Sequence, residues 1–300
     1  MKIAFIILCH KNSSQINMLL TELLKCDSDI YVHVDKKNNS LRSEIMSDEH
    51  IFLLPESDSY SVEWGGVSIV QATLSLMRAV CNSGIEYGHI CLLSGQDFLI
   101  RPVADFESLL AENPVMNFIE LIPSFEKRYR VYRKRCEIFY PKWINKNDLV
   151  VKILKRFYML FTGGFSHTFS FCKRRKPFEF DFAFGSQWWC LTSNCVKYMM
   201  SYVDSHPEYV KFFDKCIVPD ECFFQTIFAN STFVRNQDDY LTYVNWGKNR
   251  RSPEIFLSND FNRLKKASEK FFFARKFDIQ RDKIIVEMLM DSNGGKSYDL

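Results

Sequence analysis

The sequence predicts an α/β architecture built on a parallel sheet, and three observations within its first 35 residues predict it. Lys2 to Cys9 is a continuous apolar run with β-branched content, the pattern of a strand covered on both faces. Ile16, Leu19, Leu20, Leu23 and Leu24 then recur at i, i+3, i+4, i+7 and i+8, one face of a helix. Ile30 to Val34 is a second buried strand ending at Asp35, which completes a βαβ unit.

The elements follow in order. Between first strand and first helix lies the polar turn His10 to Ser14, where Ser13 or Ser14 can cap the helix start. Ile51 to Leu54 is a further strand. Gly65-Gly66 precedes a helix with Val70, Leu74, Met77 and Cys81 on one face, and Ile90 to Leu93 is a strand stopped by Ser94-Gly95-Gln96-Asp97. Residues 1–113 therefore form a Rossmann-like nucleotide-binding half, in which ligands sit beyond the carboxyl ends of strands, where His10, Asp35 and Asp97 fall. Residues 114–183 are an irregular, basic and aromatic insertion. A compact second half, 184–290, resumes at Phe184-Gly185-Ser186-Gln187-Trp188-Trp189, with helices expected across Ser193 to Ser201 and Cys222 to Phe228. The tail after Met290 is expected to fray. There are no internal repeats, and the chain is treated as one domain, 1–300.

Composition narrows the classes. A length of 300 residues allows a sizeable core, and 47% hydrophobic with 25% charged residues is an ordinary globular mixture. The 15% aromatic share, with 28 Phe, predicts a deep core or broad stacking surfaces. The formal charge of +3 hides an asymmetry. Lys127 to Lys176 holds fifteen Lys and Arg against Glu137 and Asp148, a net +13, so the remainder sums to −10. Such a block is a surface for something negative. Ten cysteines form no C-x-x-C pair, and Cys9, Cys91 and Cys190 sit in apolar runs where a thiol acts as a small hydrophobe. With no signal peptide ahead of them, reduced thiols and a cytoplasmic location are expected. The apolar start is too short to span a bilayer, and no other segment reaches that length.

The motifs exclude more than they name. No G-x-G-x-x-G follows the first strand and there is no Walker loop, which weighs against dinucleotide oxidoreductases and P-loop enzymes. The six His show no metal-ligand spacing, and no Asp-x-Asp stands at a strand end, although Asp238-Asp239 are adjacent; no metal is expected. A diphosphate leaving without a metal needs fixed cations. Lys248, Arg250, Arg251, Arg275 and Lys276 offer them, and Lys276 stands out because it lies in an aromatic stretch.

Seven segments, in order, resemble the core-2/I-branching family of glycosyltransferases (glycosyltransferase family 14), which includes the peptide-O-xylosyltransferases. They are Cys9-His10-Lys11, Tyr31 to Lys37, Trp64-Gly65-Gly66, Leu93 to Phe98, Gly185-Ser186-Gln187-Trp188, Pro219-Asp220-Glu221 and Phe273 to Asp278, so the resemblance runs from Ile3 to Asp278. It implies a GT-A type fold, inversion at the anomeric carbon, no metal or other cofactor, and a UDP-sugar donor, with UDP-N-acetylglucosamine or UDP-xylose favoured. The family's base falls on Glu221 and its diphosphate-binding Lys on Lys276. Its phosphate-binding Arg, nine residues before an Asp, falls on Arg251 by way of Asp260, with two extra residues between Asp260 and Lys276. Nucleotide contacts fall on Cys9, His10, Lys11, Asp35 and Lys37, and an aromatic donor contact on Trp64. Asp97 joins them as the residue after a strand and Gly95, and His10 stands open between a donor contact and a turn histidine. On the acceptor side stand Glu120, Gly185, Ser186 and Trp188, with Trp188 turned to the site and Trp189 inwards. The branching enzymes' acceptor region does not match across Phe118 to Arg135, so acceptor identity does not transfer.

Chemically, a carboxylate after Pro219 and before a helix is rigidly placed to take a proton from a sugar hydroxyl, with Asp220 pointing elsewhere and expected to cap that helix. A Pro-Asp-Glu alone would read as helix-end charge, and its context turns it to catalysis. The competing class is a non-catalytic binder of anionic polymers or membranes on the same fold, suggested by Arg128 to Lys176. No nucleic-acid module is present, and Lys152 to Phe161 is amphipathic, so peripheral association with the inner face of an anionic membrane is expected. The acceptor is then a carbohydrate or lipid-linked glycan, and the Lys-, Asn- and Phe-rich composition suits bacterial surface-polysaccharide synthesis.

Overall fold

A six-stranded sheet frames the computed structural model, which describes residues 1–139, 149–161, 174–236, 241–247 and 252–294. β1 (Ile3–Cys9), β2 (Ser28–Val34), β3 (Ile51–Leu53) and β4 (His89–Ser94) pair in parallel in the order β3-β2-β1-β4. β5 (Asp97–Leu99) leaves this sheet. β6 (Phe118–Ile119) and β7 (Trp189–Thr192) extend it beyond β4 with antiparallel pairings. β8 (Thr242–Val244) and β9 (Phe273–Arg275) form a small sheet with β5, ordered β5-β9-β8.

The helices pack on both faces. α1 (Ser13–Leu23) joins β1 to β2 in the predicted βαβ unit, α2 (Ser68–Asn82) precedes β4, and α3 (Val103–Glu112) follows β5. α4 (Lys127–Glu137) and α5 (Leu149–Phe161) come next, then α6 (Ser193–Ser205), α7 (Pro207–Phe213), α8 (Phe223–Ala229), α9 (Phe261–Ala267) and α10 (Ile284–Asn293). The alternation of side chains along a strand splits the core in two. Ala4, Ile6 and Leu8 of β1 face one layer with α2, α6, α7 and α8. Ile3, Phe5, Ile7 and Cys9 face the other with α1, α3, α9 and α10. The α/β class read from the sequence is the class observed, and a first strand apolar at every position is explained by cover on both sides.

Four local expectations are corrected. Neither Ser13 nor Ser14 caps α1: Asn12, at φ 60°, occupies the cap position, and Ser13 donates instead to Glu44 at 2.5 Å. The middle segment is not irregular throughout, because β6, α4 and α5 lie in it. Asp220 does not cap α8, whose boundary residue is Cys222. Asp291 to Asn293 continue α10 rather than fraying, since Ile285, Val286 and Leu289 anchor that helix in the core.

One buried polar side chain ties the ends of the chain together. Gln15 of α1 is fully buried; its amide donates to the carbonyls of Gly95 at 2.8 Å and Phe277 at 3.2 Å, and its oxygen accepts from the N–H of Ile279 at 3.0 Å.

Candidate active site

A strained turn delivers Glu221. Val218 adopts φ 53°, unfavourable for a β-branched residue. Its N–H donates to the carbonyl of Gly65 at 2.9 Å, and Pro219–Glu221 then form a single 3-10 turn. From the other side, the N–H of Gly185 donates to the carbonyl of Glu221 at 3.0 Å. Gly185 has no room for a side chain, because a Cβ there would stand 1.8 Å from the carbonyl oxygen of Glu120. The segments Trp64-Gly65-Gly66, Glu120, Gly185-Ser186 and Pro219-Asp220-Glu221 thus meet at one point.

The Glu221 side chain faces α4. Its Oε2 accepts from Arg135 Nη1 at 2.5 Å, both side chains being about a quarter exposed (25% and 22%). The Arg135 guanidinium stacks on the Tyr132 ring at 4.0 Å. Burial raises the Glu221 pKa above the ordinary carboxylate range; Arg135 opposes that most strongly, and the charge of Glu120 adds to the rise. Next to it, Asp220 is buried, its Oδ1 has no hydrogen-bond partner, and burial followed by the Glu221 charge pushes its carboxyl up to about 7. Glu120 accepts from Arg128 Nη1 at 3.0 Å.

A cationic wing lies on β9. Asp97 and Arg275 are register partners across β5 and β9. Asp97 is fully buried, accepts from the N–H of Ser94 at 2.7 Å, and stands 3.4 Å from Arg275 Nε. The Arg275 guanidinium lies over the Trp188 ring, 3.9 Å from its centroid. Trp188 is buried and leads back through Ser186, whose carbonyl accepts from Gln225 at 2.6 Å, to Gly185 and Glu221. The charge of Arg275 is felt at Asp220, and that of Lys276 at Asp97 and His10, so base turn and cations form one electrostatic array. Burial lowers the Lys276 pKa first and Arg275 lowers it further.

The strand-end loops complete the surround. Lys11 pairs with Asp278 at 2.7 Å and Asn12 donates to the same carboxylate at 2.9 Å. Asp35 is buried and accepts from the N–H groups of Lys37 at 2.9 Å and Val62 at 3.3 Å; Lys37 Nζ donates to the Val62 carbonyl at 2.7 Å. Burial of its ring lowers the His10 pKa, with Lys11 adding to the effect. A polar cavity of about 380 Å³ beside these loops is lined by Asn12, Asn38, Glu44 and Gln280 among others, and by none of Glu221, Arg275 and Lys276.

The structure brings Glu221, Glu120, Gly185, Ser186, Trp188, Asp97 and Lys276 together, with Trp64 at 79% exposure beside them on the loop held by Val218. Two residues are set differently from the expectation. Cys9 is buried and its thiol, pushed up to about 12 by burial, donates to the His33 carbonyl at 3.4 Å, so its side chain serves the core rather than a ligand. Asp97 has no exposed surface, and its carboxylate faces Arg275. Trp189 is turned inwards as expected, but Trp188 is buried too and reaches the site by its stack with Arg275. Arg251 and Asp238-Asp239 lie outside the described residues. Among the described residues, no three His, Cys, Asp or Glu side chains gather as a metal-binding group. Sequence reasoning missed Tyr132 and Arg135, although their spacing from Arg128, i+4 and i+7, is that of one helix face.

Comparison with known proteins agrees on one family. The family model described as "Core-2/I-Branching enzyme" matches residues 3–265. Xylosyltransferase 1 of Rattus norvegicus is 25% identical over 297 residues, covering 92% of this chain and 34% of that protein. Xylosyltransferase 2 of Canis lupus familiaris is 26% identical over 316 residues, covering 96% and 33%. The chain spans about a third of the length of these curated relatives. A crystal structure of mouse xyloside xylosyltransferase 1 in its apo form aligns over 91% of this chain and 97% of that one, at 11% identity and a TM-score of 0.39, too slight a likeness to bear on the fold.

Proposed function

The chain belongs to the core-2/I-branching enzyme family of glycosyltransferases, and from that premise we propose that it is an inverting transferase of GT-A type that works without a metal ion. It moves a sugar from a UDP-sugar, UDP-N-acetylglucosamine or UDP-xylose being favoured, to a glycan hydroxyl in bacterial surface-polysaccharide synthesis. Glu221 is the general base. It takes the acceptor hydroxyl's proton as the oxygen bonds to the anomeric carbon from the face opposite the leaving UDP. Lys276 and Arg275, with Arg251 assigned by resemblance alone, meet the negative charge growing on the diphosphate.

The observation that carries this reading is the run of contacts from the Glu221 turn through Gly185, Ser186 and Trp188 to the Arg275 guanidinium, with Lys276 the next residue. A carboxylate whose pKa burial has raised is a stronger base than an exposed one, and the cations Arg275 and Lys276 supply what a departing diphosphate requires. Glu221→Gln should stay folded and keep its thermal stabilisation by UDP while losing transfer by roughly 10²- to 10⁴-fold, the usual worth of a general base. Wild-type transfer should persist in excess EDTA. Near-normal turnover in Glu221→Gln would remove the residue from its role, and an absolute need for added manganese would refute the metal-free reaction.

The acceptor is a carbohydrate or lipid-linked glycan, and the protein works in the cytoplasm, bound peripherally to the inner face of the membrane. α5 supports this part of the reading. Leu149, Val150, Ile153, Leu154, Phe157 and Leu160 fall on one side of it and are between 48% and 73% exposed, while Lys152 and Lys155 lie on the other and Arg156 at its edge. An exposed apolar stripe bordered by cations suits insertion at an anionic interface. No helix among the described residues is long and apolar enough to cross a membrane. Co-sedimentation with phosphatidylglycerol-containing liposomes, released by salt, is expected. Absence of binding at low salt would end the idea.

A further inference from the structure

We infer that Arg135 is a positioning residue of the transfer reaction, holding the Glu221 carboxylate in the direction and charge state that a base requires. The inference rests on the reading of Glu221 as base. Three contacts fix Arg135 relative to that carboxylate. Its Nη1 donates to Glu221 Oε2 at 2.5 Å, and its guanidinium plane rests on the Tyr132 ring at 4.0 Å. Its backbone carbonyl accepts from the N–H of Ile217 at 3.2 Å, one residue before the strained Val218 that starts the Glu221 turn. The end of α4 and the base turn are therefore registered to each other by main chain and side chain together. Cys136, the next residue, is buried beside Cys216 and keeps this end of the helix docked.

The charges around Glu221 explain why it needs such a partner. Glu120 faces it from beyond β6 and opposes its ionisation, while Asp220, adjoining it on its own turn, is itself pushed up by the Glu221 charge. Arg128 is engaged with Glu120 and Glu126. Arg275 acts from β9 on Asp220, and Tyr132 stands beside Arg135 on α4. Among the groups acting on Glu221, Arg135 is the largest influence favouring the carboxylate. With Arg135 gone, burial and the neighbouring Glu120 would leave Glu221 carrying a proton where it must accept one. A guanidinium holding one oxygen from the α4 side also leaves the other free to turn to a hydroxyl, since a carboxylate has two acceptor atoms.

The sign of the test follows. Only ionised Glu221 is active, so the acid limb of the transfer-rate profile reports its ionisation. Arg135→Gln should move that limb to higher pH by about one unit or more, which is about a tenfold or greater loss of kcat at pH values below the limb and a smaller loss above it. Arg135→Lys, which keeps the charge without the planar fork, should restore most of the limb position but not all of the rate. UDP-induced thermal stabilisation should be unchanged in both variants. A folded Arg135→Gln enzyme whose limb coincides with the parent's would overturn the inference, as would a uniform loss at every pH shared by the Lys variant. If Arg135→Gln fails to fold, Arg135→Met, which also removes the charge, is read by the same profile, and a limb coinciding with the parent's in that variant would sink the proposal. Normal transfer by Glu221→Gln would instead sink the reading on which it rests.

Discussion

Asp220 and Glu221 are consecutive carboxylic acids with different fates, and the difference lies in their partners. Glu221 has Arg135; Asp220 is buried with one oxygen unpartnered and a pKa of about 7. Its folded value exceeds the unfolded 3.8, so the folded state binds the proton more tightly. The stability of the protein must then fall as pH rises from about 4 towards 7 through this group, and level off above it. Asp220→Asn should abolish that slope and be more stable than the parent at pH 8, with little difference at pH 4, as read from urea midpoints. Equal pH dependence in the two proteins would mean that Asp220 is ionised in the fold at no cost. From sequence, Asp220 reads as a helix cap. What made it a buried acid is the turn set by Val218, whose left-handed backbone no residue pattern announces.

Among the elements, the joint between β6, the Gly185 loop and the Glu221 turn is the tightest. A methyl at Gly185 would meet the Glu120 carbonyl at 1.8 Å, a backbone atom that cannot swing aside. Gly185→Ala should therefore cost about 1–3 kcal/mol or more of stability, as overpacking does, and lower transfer more than it lowers UDP binding. A denaturation midpoint equal to the parent's would contradict the packing described. The motif containing Gly185 was legible in the sequence, and so were β1, α1, β2, α2 and β4, because period and burial agree there. α4 was not. Its eleven residues carry six Lys or Arg and no continuous apolar stripe, so its helix shows only in the spacing of Arg128, Tyr132 and Arg135 and in the partners those residues find. Arg275 was visible as a cation, whereas its stack on Trp188 depends on β5 and β9 pairing across residues 97 and 275.

At the scale of the molecule, two apolar layers on either side of one sheet account for the fold, and Gln15 connects them to the cation-bearing strand. Gln15→Leu keeps the side-chain size but strands the Gly95 and Phe277 carbonyls and the Ile279 N–H, at about 1–3 kcal/mol for each group left unsatisfied. The variant should unfold at distinctly lower urea and show a smaller UDP-induced thermal shift. Unaltered stability would mean that water or a backbone shift replaces all three bonds. This part of the design was not legible, since a glutamine one turn into a helix gives no sign of partners 80 and 264 residues away.

That amide also sets an order of events during synthesis. Residue 15 leaves the ribosome long before residue 279, so the nascent βαβ unit must wait with its glutamine oxygen unanswered until nearly the whole polypeptide has emerged. Ribosome-bound chains ending before Phe273 would lack β9 and the Lys276 that follows it, together with the Phe277 and Ile279 groups that complete the bonds of Gln15, and capture of the sugar nucleotide would be deferred to the last moments of translation.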